Sequence, residues 1–385
     1  MPTTQVTDPF GLVGSVIERQ FRIDAVVGEG GFGVVYKGWH LALDQPIAIK
    51  ALKMPETRDA SMQGLLLQKF REEAKLTYVL SQATLNVVRT IDFGATTAPT
   101  GAWVPFAVLE WLEGETLAQE LRRRRTQGRQ GRTLAEAMAL LEPAARALAL
   151  AHQRRVAHRD VKPGNLFLMA PAAAANGVMV KLLDFGIAKV MREGATQGGA
   201  TSTGIVSFTP GYAAPEQVEG RYGGTGPWTD VYGLALVLTE LMTDRVPFDA
   251  TDVPELLRQV LDPGVRPTPR SRGAFVPDAF EAVMARSLSV DPRARPRDAG
   301  EMWAALVAAA AVHAAPLPTP PPGSMQAAAA SYLPQPASNG YAPGPAHPAA
   351  APHAGRTANV VAAVLGVGLT LLLFVLLAAW SVTRR

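Results

Sequence analysis

Short alternating runs come first in the chain. "FRIDAVV" (21–27), "VVYKGWH" (34–40) and "IAIKAL" (47–52) place apolar side chains at every second position around glycine turns, which predicts successive half-buried strands. The spacing lengthens to three and four residues in "LLLQKFREEAKLTYVL" (65–80), predicting a helix set among those strands. After "ETLAQELRRRR" (115–125) the helical period dominates: "LAEAMALLEPAARALALAHQ" ends near His152, and Thr229–Met242 and Asp278–Leu288 read as further amphipathic helices. A small sheet lobe followed by a larger helical lobe fits neither a doubly wound sheet nor a single barrel. Such a body leaves a cleft between its lobes, where a small ligand is expected.

Two C-terminal segments break the pattern. From His313 to about Gly355 the chain is mostly Ala, Pro, Gly and Ser, too poor in large aliphatic residues to bury a core, so it reads as a disordered, semi-extended tether. Thr357 to Thr383 then contains no charge, and "VVAAVLGVGLTLLLFVLLAAW" (360–380) supplies the roughly 20 apolar residues that a bilayer core requires. Arg356, Arg384 and Arg385 bracket it as snorkelling charges would. The expected layout is a globular unit over 15–312 (lobes about 15–109 and 113–312), a linker over 313–356 and a transmembrane helix over 358–382. The N-terminus has neither a basic start nor an apolar core, so no signal peptide is expected.

Composition narrows the chemistry. The chain of 385 residues is 48% hydrophobic and 18% charged, an apolar balance that a lipid-facing segment helps to explain. It has no cysteine, which excludes disulfides, thiolate metal sites and a cysteine nucleophile. The net charge of +4 is partly local, in "RRRRTQGRQGR" (122–132). That run reads first as a solvated loop beside a helix end, and second as a docking surface for an acidic partner or anionic lipid. No aromatic residues interleave with its arginines, so nucleic acid is not an expected partner.

Candidate chemistry begins with "GEGGFGVV" (28–35), where Gly28, Gly30 and Gly33 are closed by Val35. By itself the spacing fits a dinucleotide fingerprint, a hairpin or a phosphate-covering loop. A dinucleotide fingerprint needs a helix directly after the glycines, whereas "VVYKGWH" is a strand pattern. Lys50 ends the strand "IAIK" 17 residues after Gly33, where an ammonium could meet the inner phosphates of a nucleotide. In "FREEAK", Glu73 is the carboxylate chosen to hold that lysine. "HRDVKPGN" (158–165) and "LLDFG" (182–186) complete the set. Phosphoryl transfer needs a group that orients the attacking hydroxyl, cations on the moving phosphate and hard ligands for Mg²⁺. Asp160, Lys162, and Asn165 with Asp184, supply those in order.

With these motifs in this order, residues 18 to 310 resemble the bacterial branch of the eukaryotic-like (Hanks-type) serine/threonine protein kinases. Gly28, Gly30, Gly33, Val35, Lys50, Glu73, His158, Arg159, Asp160, Lys162, Asn165, Asp184, Phe185, Gly186, Ala214, Pro215 and Glu216 all fall on the family pattern. The resemblance implies an α+β bilobal kinase fold that binds ATP with Mg²⁺ (or Mn²⁺). It further implies a hinge in "AVLEWLEGETL" whose backbone at Glu110 and Leu112 meets adenine, with Leu109 as gatekeeper. Asp230 would support the catalytic loop, Arg295 would pair with Glu216, and Thr209 would bond the catalytic Asp and Lys. Lys162 favours Ser/Thr over Tyr as acceptor. Phe208, Trp111, "QATLNVV" and "DVYGLA" depart from the usual pattern, without removing a group that meets ATP, Mg²⁺ or the acceptor.

The resemblance also implies regulation. Arg159 beside the catalytic Asp calls for a counter-anion, and Thr196, Thr201, Ser202 and Thr203 lie in a Gly-rich stretch where a phosphate could supply it. Autophosphorylation is expected there, at Thr201 or Thr203 first. The partners expected are protein substrates, the chain itself, the lipid bilayer and, as an open option, a second copy in a homodimer. Because ATP is cytoplasmic, the kinase domain is expected to face the cytoplasm from a single span in the bacterial inner membrane. The contrasting class is a membrane-tethered pseudokinase scaffold, against which stand the intact Lys50, Asp160 and Asp184. Small-molecule phosphotransferases that share the catalytic loop lack the segment ending in Ala-Pro-Glu.

Overall fold

A computed structural model describes residues 7–30, 33–53, 60–169, 179–185 and 210–314. The expected membrane span, the linker beyond Ala314, Gly186, and Thr196, Thr201, Ser202, Thr203 and Thr209 lie outside the described residues. Among the described residues no helix is long and apolar enough to cross a membrane.

Alternation in the first hundred residues builds an antiparallel sheet. Its strands are β1 (Val16–Ile17), β2 (Phe21–Gly30), β3 (Gly33–His40), β4 (Gln45–Leu52), β5 (Thr90–Thr97) and β6 (Trp103–Glu110), in the order β1-β2-β3-β4-β6-β5. Because side chains alternate between faces, Phe21, Ile23, Val34, Tyr36, Ile47, Ile49, Val104, Phe106 and Val108 gather on one side as a closed core. The opposite face of β4 carries Lys50, with Val35 and Ala107 as its cross-strand neighbours. Helix α1 (Ala60–Ala83) packs near β5 and sends Phe70 and Ala74 inward.

Below the sheet a second, larger core forms. Helix α2 (Leu117–Thr126) follows the short strand β7 (Glu115–Thr116), and α3 (Leu134–Gln153) spans the predicted run. Strands β8 (Leu166–Met169) and β9 (Met179–Leu182) pair with β7 in the order β7-β8-β9. Four more helices follow: α4 (Pro215–Val218), α5 (Pro227–Thr243), α6 (Val253–Leu261) and α7 (Asp278–Ser287). The last described helix is α8 (Ala299–Ala314).

The expectation of an amphipathic helix at Thr229–Met242 needs correction. Every residue of that stretch in α5 is buried, as befits a helix apolar on all sides that is surrounded by α3, α7 and α8. A central rod of this kind can serve as a fixed reference for loops draped over its end.

The arginine run needs correction too. Arg123, Arg124 and Arg125 form the last turn of α2 rather than a free loop. Arg124 donates to both carboxylate oxygens of Asp244 at 3.2 and 3.0 Å, Arg125 pairs with the buried Glu240, and Arg132 reaches Glu120 at 2.6 Å. Arg124 and Arg125 therefore fasten α2 to the C-terminal end of α5, while Arg132 ties the following loop back to α2. The period of three and four hides this, because Asp244 and Glu240 lie more than a hundred residues from Arg124 and Arg125 in sequence.

Candidate active site

Three loops meet where the sheet lobe faces the helical lobe. The glycine motif forms the tip of the β2–β3 hairpin: Gly28 pairs with Val35 and Gly30 with Gly33, while residues 31–32 lie outside the description. A Cβ at Gly33 would come within 2.2 Å of the Ala51 carbonyl oxygen, so only glycine lets β3 lie this close to β4 there.

Lys50 is buried under that hairpin, and its ammonium sits 2.6 Å from the Asp184 carboxylate. Burial pushes the Asp184 carboxyl up, but the Lys50 cation, with His158 and Lys162 nearby, outweighs it and holds the group below the usual carboxylate range. Glu73 lies on α1, and its side chain is outside the described residues. The described partner of Lys50 is thus Asp184.

The loop after α3 carries Asp160, Lys162 and Asn165. Lys162 Nζ lies 2.8 Å from Asp160 Oδ2, and Asn165 Nδ2 donates to the same oxygen at 2.9 Å and to the Asp160 carbonyl at 2.8 Å. Both bonds use the amide NH₂ of Asn165, so its Oδ1 is a hard acceptor with no partner among the described residues. The Leu183 N–H bonds the Asn165 carbonyl at 2.9 Å, tying this loop to the segment that bears Asp184.

Asp230 holds the loop from beneath. It is fully buried at the start of α5; its Oδ1 accepts the Arg159 N–H at 2.6 Å, and its Oδ2 accepts the His158 N–H at 2.7 Å. His152 Nε2 also lies 2.7 Å from Oδ2, while its Nδ1 accepts the Ala299 N–H at 3.1 Å. The second bond fixes the tautomer, so Nε2 carries the proton and donates to Asp230. His158 is oriented in the same way, with Nδ1 accepting from the Asp160 N–H at 3.3 Å and Nε2 donating to the Leu183 carbonyl at 2.7 Å. Its ring lies 4.6 Å from that of Phe185.

This clamp stabilises an unfavourable backbone. Arg159 has φ 64° and Asp184 φ 61°, left-handed conformations that cost about 1–3 kcal/mol each in a non-glycine residue. The Arg159 guanidinium leaves its Nε buried with no partner among the described residues. Gly233, one turn along α5 from Asp230, would bring a Cβ within 2.7 Å of the Val161 carbonyl oxygen, so helix and loop touch backbone to backbone.

The hinge and the segment after residue 209 frame the cleft. The backbone of Leu112 has no hydrogen-bond partner among the described residues, whereas the Glu110 carboxylate accepts from Lys181 at 2.5 Å and from the Arg89 N–H at 2.7 Å. Trp111, one of the departures noted above, lies under the Lys37 ammonium at 4.9 Å. Leu109, Ala107, Phe70, Ala74 and Phe185 line a small cavity of about 30 Å³ behind the cleft. Ala214 and Pro215 lead into α4, and the Glu216 carboxylate forms a bidentate pair with Arg295, at 2.9 Å on both arms, with both side chains fully buried.

Sequence reading thus identified the residues that converge, including the Asp230 clamp and the Glu216–Arg295 pair. It missed His152, Gln217, Thr229 and Lys181. Gln217 accepts the Ala214 N–H and donates to the Arg159 carbonyl at 2.8 Å, and Thr229 donates to Glu216 at 2.8 Å. The one available signal was His152 at the polar end of an otherwise apolar helix face.

Comparison with known proteins identifies the family. A family model described as protein kinase domain matches residues 21–304. The chain is 33% identical over 316 residues to the serine/threonine-protein kinase Pkn1 of Myxococcus xanthus, covering 81% of this chain and 41% of that protein. It is 31% identical over 326 residues to the serine/threonine-protein kinase PknL of Mycobacterium tuberculosis, covering 83% and 74%. The chain spans between a third and about half the length of three Myxococcus relatives it matches. The crystal structure of the Mycobacterium tuberculosis PknI kinase domain shares the fold, with TM-score 0.52 and 22% identity over 78% of this chain and 100% of that one.

Proposed function

The chain belongs to the protein kinase family, and on that premise we propose that it transfers the γ-phosphate of ATP to Ser and Thr hydroxyls of proteins. The observation that carries this reading is the Asp160–Lys162–Asn165 cluster on a loop clamped by Asp230, facing the Lys50–Asp184 pair across the cleft. Asp160 is the carboxylate that orients the acceptor hydroxyl and takes its proton. Lys162, 2.8 Å away, offers a positive charge to the transferred group while keeping Asp160 in place. Lys50 is the cation for the inner phosphates, beneath the β2–β3 hairpin and paired with Asp184.

The donor set fits Mg²⁺. Asp184 and Asn165 offer carboxylate and amide oxygens, both hard donors, and among the described residues no group of three or more His, Cys, Asp or Glu gathers as a metal site. Two protein ligands suit an ion that keeps waters and takes phosphate oxygens as the rest of its shell. Such an ion neutralises charge on the phosphates. Asp184 and Asn165 would hold such an ion and so set the place of the phosphates it binds.

The unpartnered Nε of Arg159 supports the further reading that a phosphate on Thr201 or Thr203 supplies the missing anion. The apolar run at 360–380 supports a single membrane span, and the need for cytoplasmic ATP supports a kinase domain on the cytoplasmic side.

The test is incorporation of labelled γ-phosphate by the full chain, beside Lys50→Met and Asp160→Asn. Transfer to Ser or Thr by the unaltered protein alone is expected, with phosphate mapped to 194–207. ATP binding without transfer would overturn the enzymatic reading in favour of a scaffold. Recovery of the protein in the soluble fraction after lysis would overturn the anchor.

A further inference from the structure

The arginine run that fastens α2 to α5 also shapes a groove. Its walls are the α2–α3 loop (Arg129, Gln130, Gly131), the loop after α5 (Asp244, Arg245) and the stretch Arg272–Ala274, enclosing about 540 Å³. The charged groups facing it are Arg125, Arg129, Arg245, Arg272 and Asp244. Three of these are answered internally: Arg125 by Glu240, Asp244 by Arg124, and Arg272 by Asp249 at 2.5 Å. Arg129 and Arg245 are exposed and have no carboxylate within ion-pair distance among the described residues, Arg245 acting on Asp249 only from farther off. The groove is therefore cationic by two charges after internal pairing. Glycines at 131 and 273 leave its backbone bare.

Its position links it to the site. Tyr212, just past the end of the segment outside the description, donates its hydroxyl to Glu240, the residue that Arg125 also holds. Glu240 lies ten residues beyond Asp230 on α5, about 15 Å along the axis at 1.5 Å per residue. Asp230 holds the amides beside Asp160. An extended peptide advances about 3.3 Å per residue, so one whose hydroxyl meets Asp160 needs at least four or five residues to come level with Glu240, whose partner Arg125 lines the groove.

We propose that this groove docks the acidic flank of protein substrates, and that the kinase selects Asp or Glu beginning about four or five positions from the acceptor. The proposal rests on the kinase reading above. Glu240, the carboxylate that could otherwise draw a basic flank, is already occupied by Arg125 and Tyr212, so local charge repels lysine and attracts glutamate. Each rim arginine makes an exposed pair of modest strength, so the two together give a preference of about fivefold, weakened by salt.

The experiment uses the full chain and fluorescent peptides with one Thr and a run of four Glu, Gln or Lys set four residues to either side of it. Transfer of labelled phosphate and equilibrium anisotropy are read in parallel. A Glu peptide should exceed its Gln counterpart about fivefold in kcat/KM and in affinity, and the gain should fade at high ionic strength. Arg129→Ala with Arg245→Ala should erase the gain while leaving the Gln peptide unchanged, and the Glu substitutions at both positions should move the preference to Lys. Equal use of Glu and Gln peptides, or a preference that survives the double variant, would overturn the proposal. Loss of binding to phosphatidylserine vesicles in the double variant, with peptide preference intact, would overturn it in favour of lipid. If no peptide is phosphorylated but Glu-peptide binding is lost in the double variant, the kinase reading fails and the groove stands.

Discussion

Replacing Asp230 by Asn asks whether one buried carboxylate sets the geometry of the loop above it. The carboxylate accepts three bonds: Arg159 N–H on Oδ1, and His158 N–H with His152 Nε2–H on Oδ2. Asparagine has one acceptor oxygen. If that oxygen takes the Oδ2 place, two bonds survive and the amide NH₂ faces the Arg159 N–H, donor against donor. A hydrogen bond to a charged acceptor contributes about 1.5–3 kcal/mol. Arg159, however, is held at φ 64°, a left-handed conformation costing about 1–3 kcal/mol. Once its bond is gone, Arg159 relaxes to negative φ and most of that strain is returned. The net loss of stability is then only about 1 kcal/mol.

Catalysis should suffer more, because Asp160 is the next residue and moves with the relaxation. A misplacement of about 1 Å can cost on the order of 100-fold in rate. The KM for ATP should stay within about twofold, since Lys50 and the hinge do not touch Asp230. Urea denaturation gives the first quantity, and steady-state transfer of labelled phosphate to a generic acceptor protein gives the other two. A loss of about 3 kcal/mol or more with kcat unchanged would refute the reasoning, because Asp230 would then be a stabilising residue with no control over Asp160.

Other perturbations test other parts of the fold. Arg295→Ala leaves the Glu216 carboxylate buried and unpaired and should cost about 3–5 kcal/mol; a thermal midpoint within 2 °C or so of the unaltered protein would contradict this. Gly33→Ala should force β3 away from the Ala51 carbonyl and raise the KM for ATP about tenfold with little change in melting temperature, and an unchanged KM would show that the hairpin tip accepts a side chain. Asp8 accepts the Val13 N–H at 2.8 Å and the Tyr36 hydroxyl at 2.7 Å; burial raises its carboxyl pKa, but these bonds outweigh it and leave the group below its usual range. A depressed folded-state value stabilises the protein above the unfolded value of about 3.9 and loses that contribution as pH falls through the folded one. Asp8→Asn should therefore be about 1 kcal/mol less stable at pH 7, with the gap closing as pH falls through the depressed folded-state value of Asp8. Urea midpoints over that pH range decide, and a gap that persists at low pH would point to packing.

The sequence by itself determined the two-lobe order of elements and most of the residues that meet in the cleft. Periods of two and of three to four report which local structure buries a segment's apolar side chains, so β2, β3, β4, α1 and α3 were legible. Gly33, Lys50, Asp160, Asn165 and Asp184 were legible for a second reason, since phosphate chemistry restricts the residue types that can serve and the motifs keep them close in the chain. Only the tertiary structure decided what the remaining polar residues do. His152 is an apolar-face histidine by pattern, and becomes part of the clamp because Ala299, far away in sequence, caps its other nitrogen. α5 reads as amphipathic, yet it is buried on every side because α3, α7 and α8 close around it. The arginines of α2 read as solvated, yet Asp244 and Glu240 arrive from the far end of α5 to meet them. In each case the deciding partner is distant along the chain. Local sequence records a residue's own preference, while pairing across the fold fixes which preferences are satisfied.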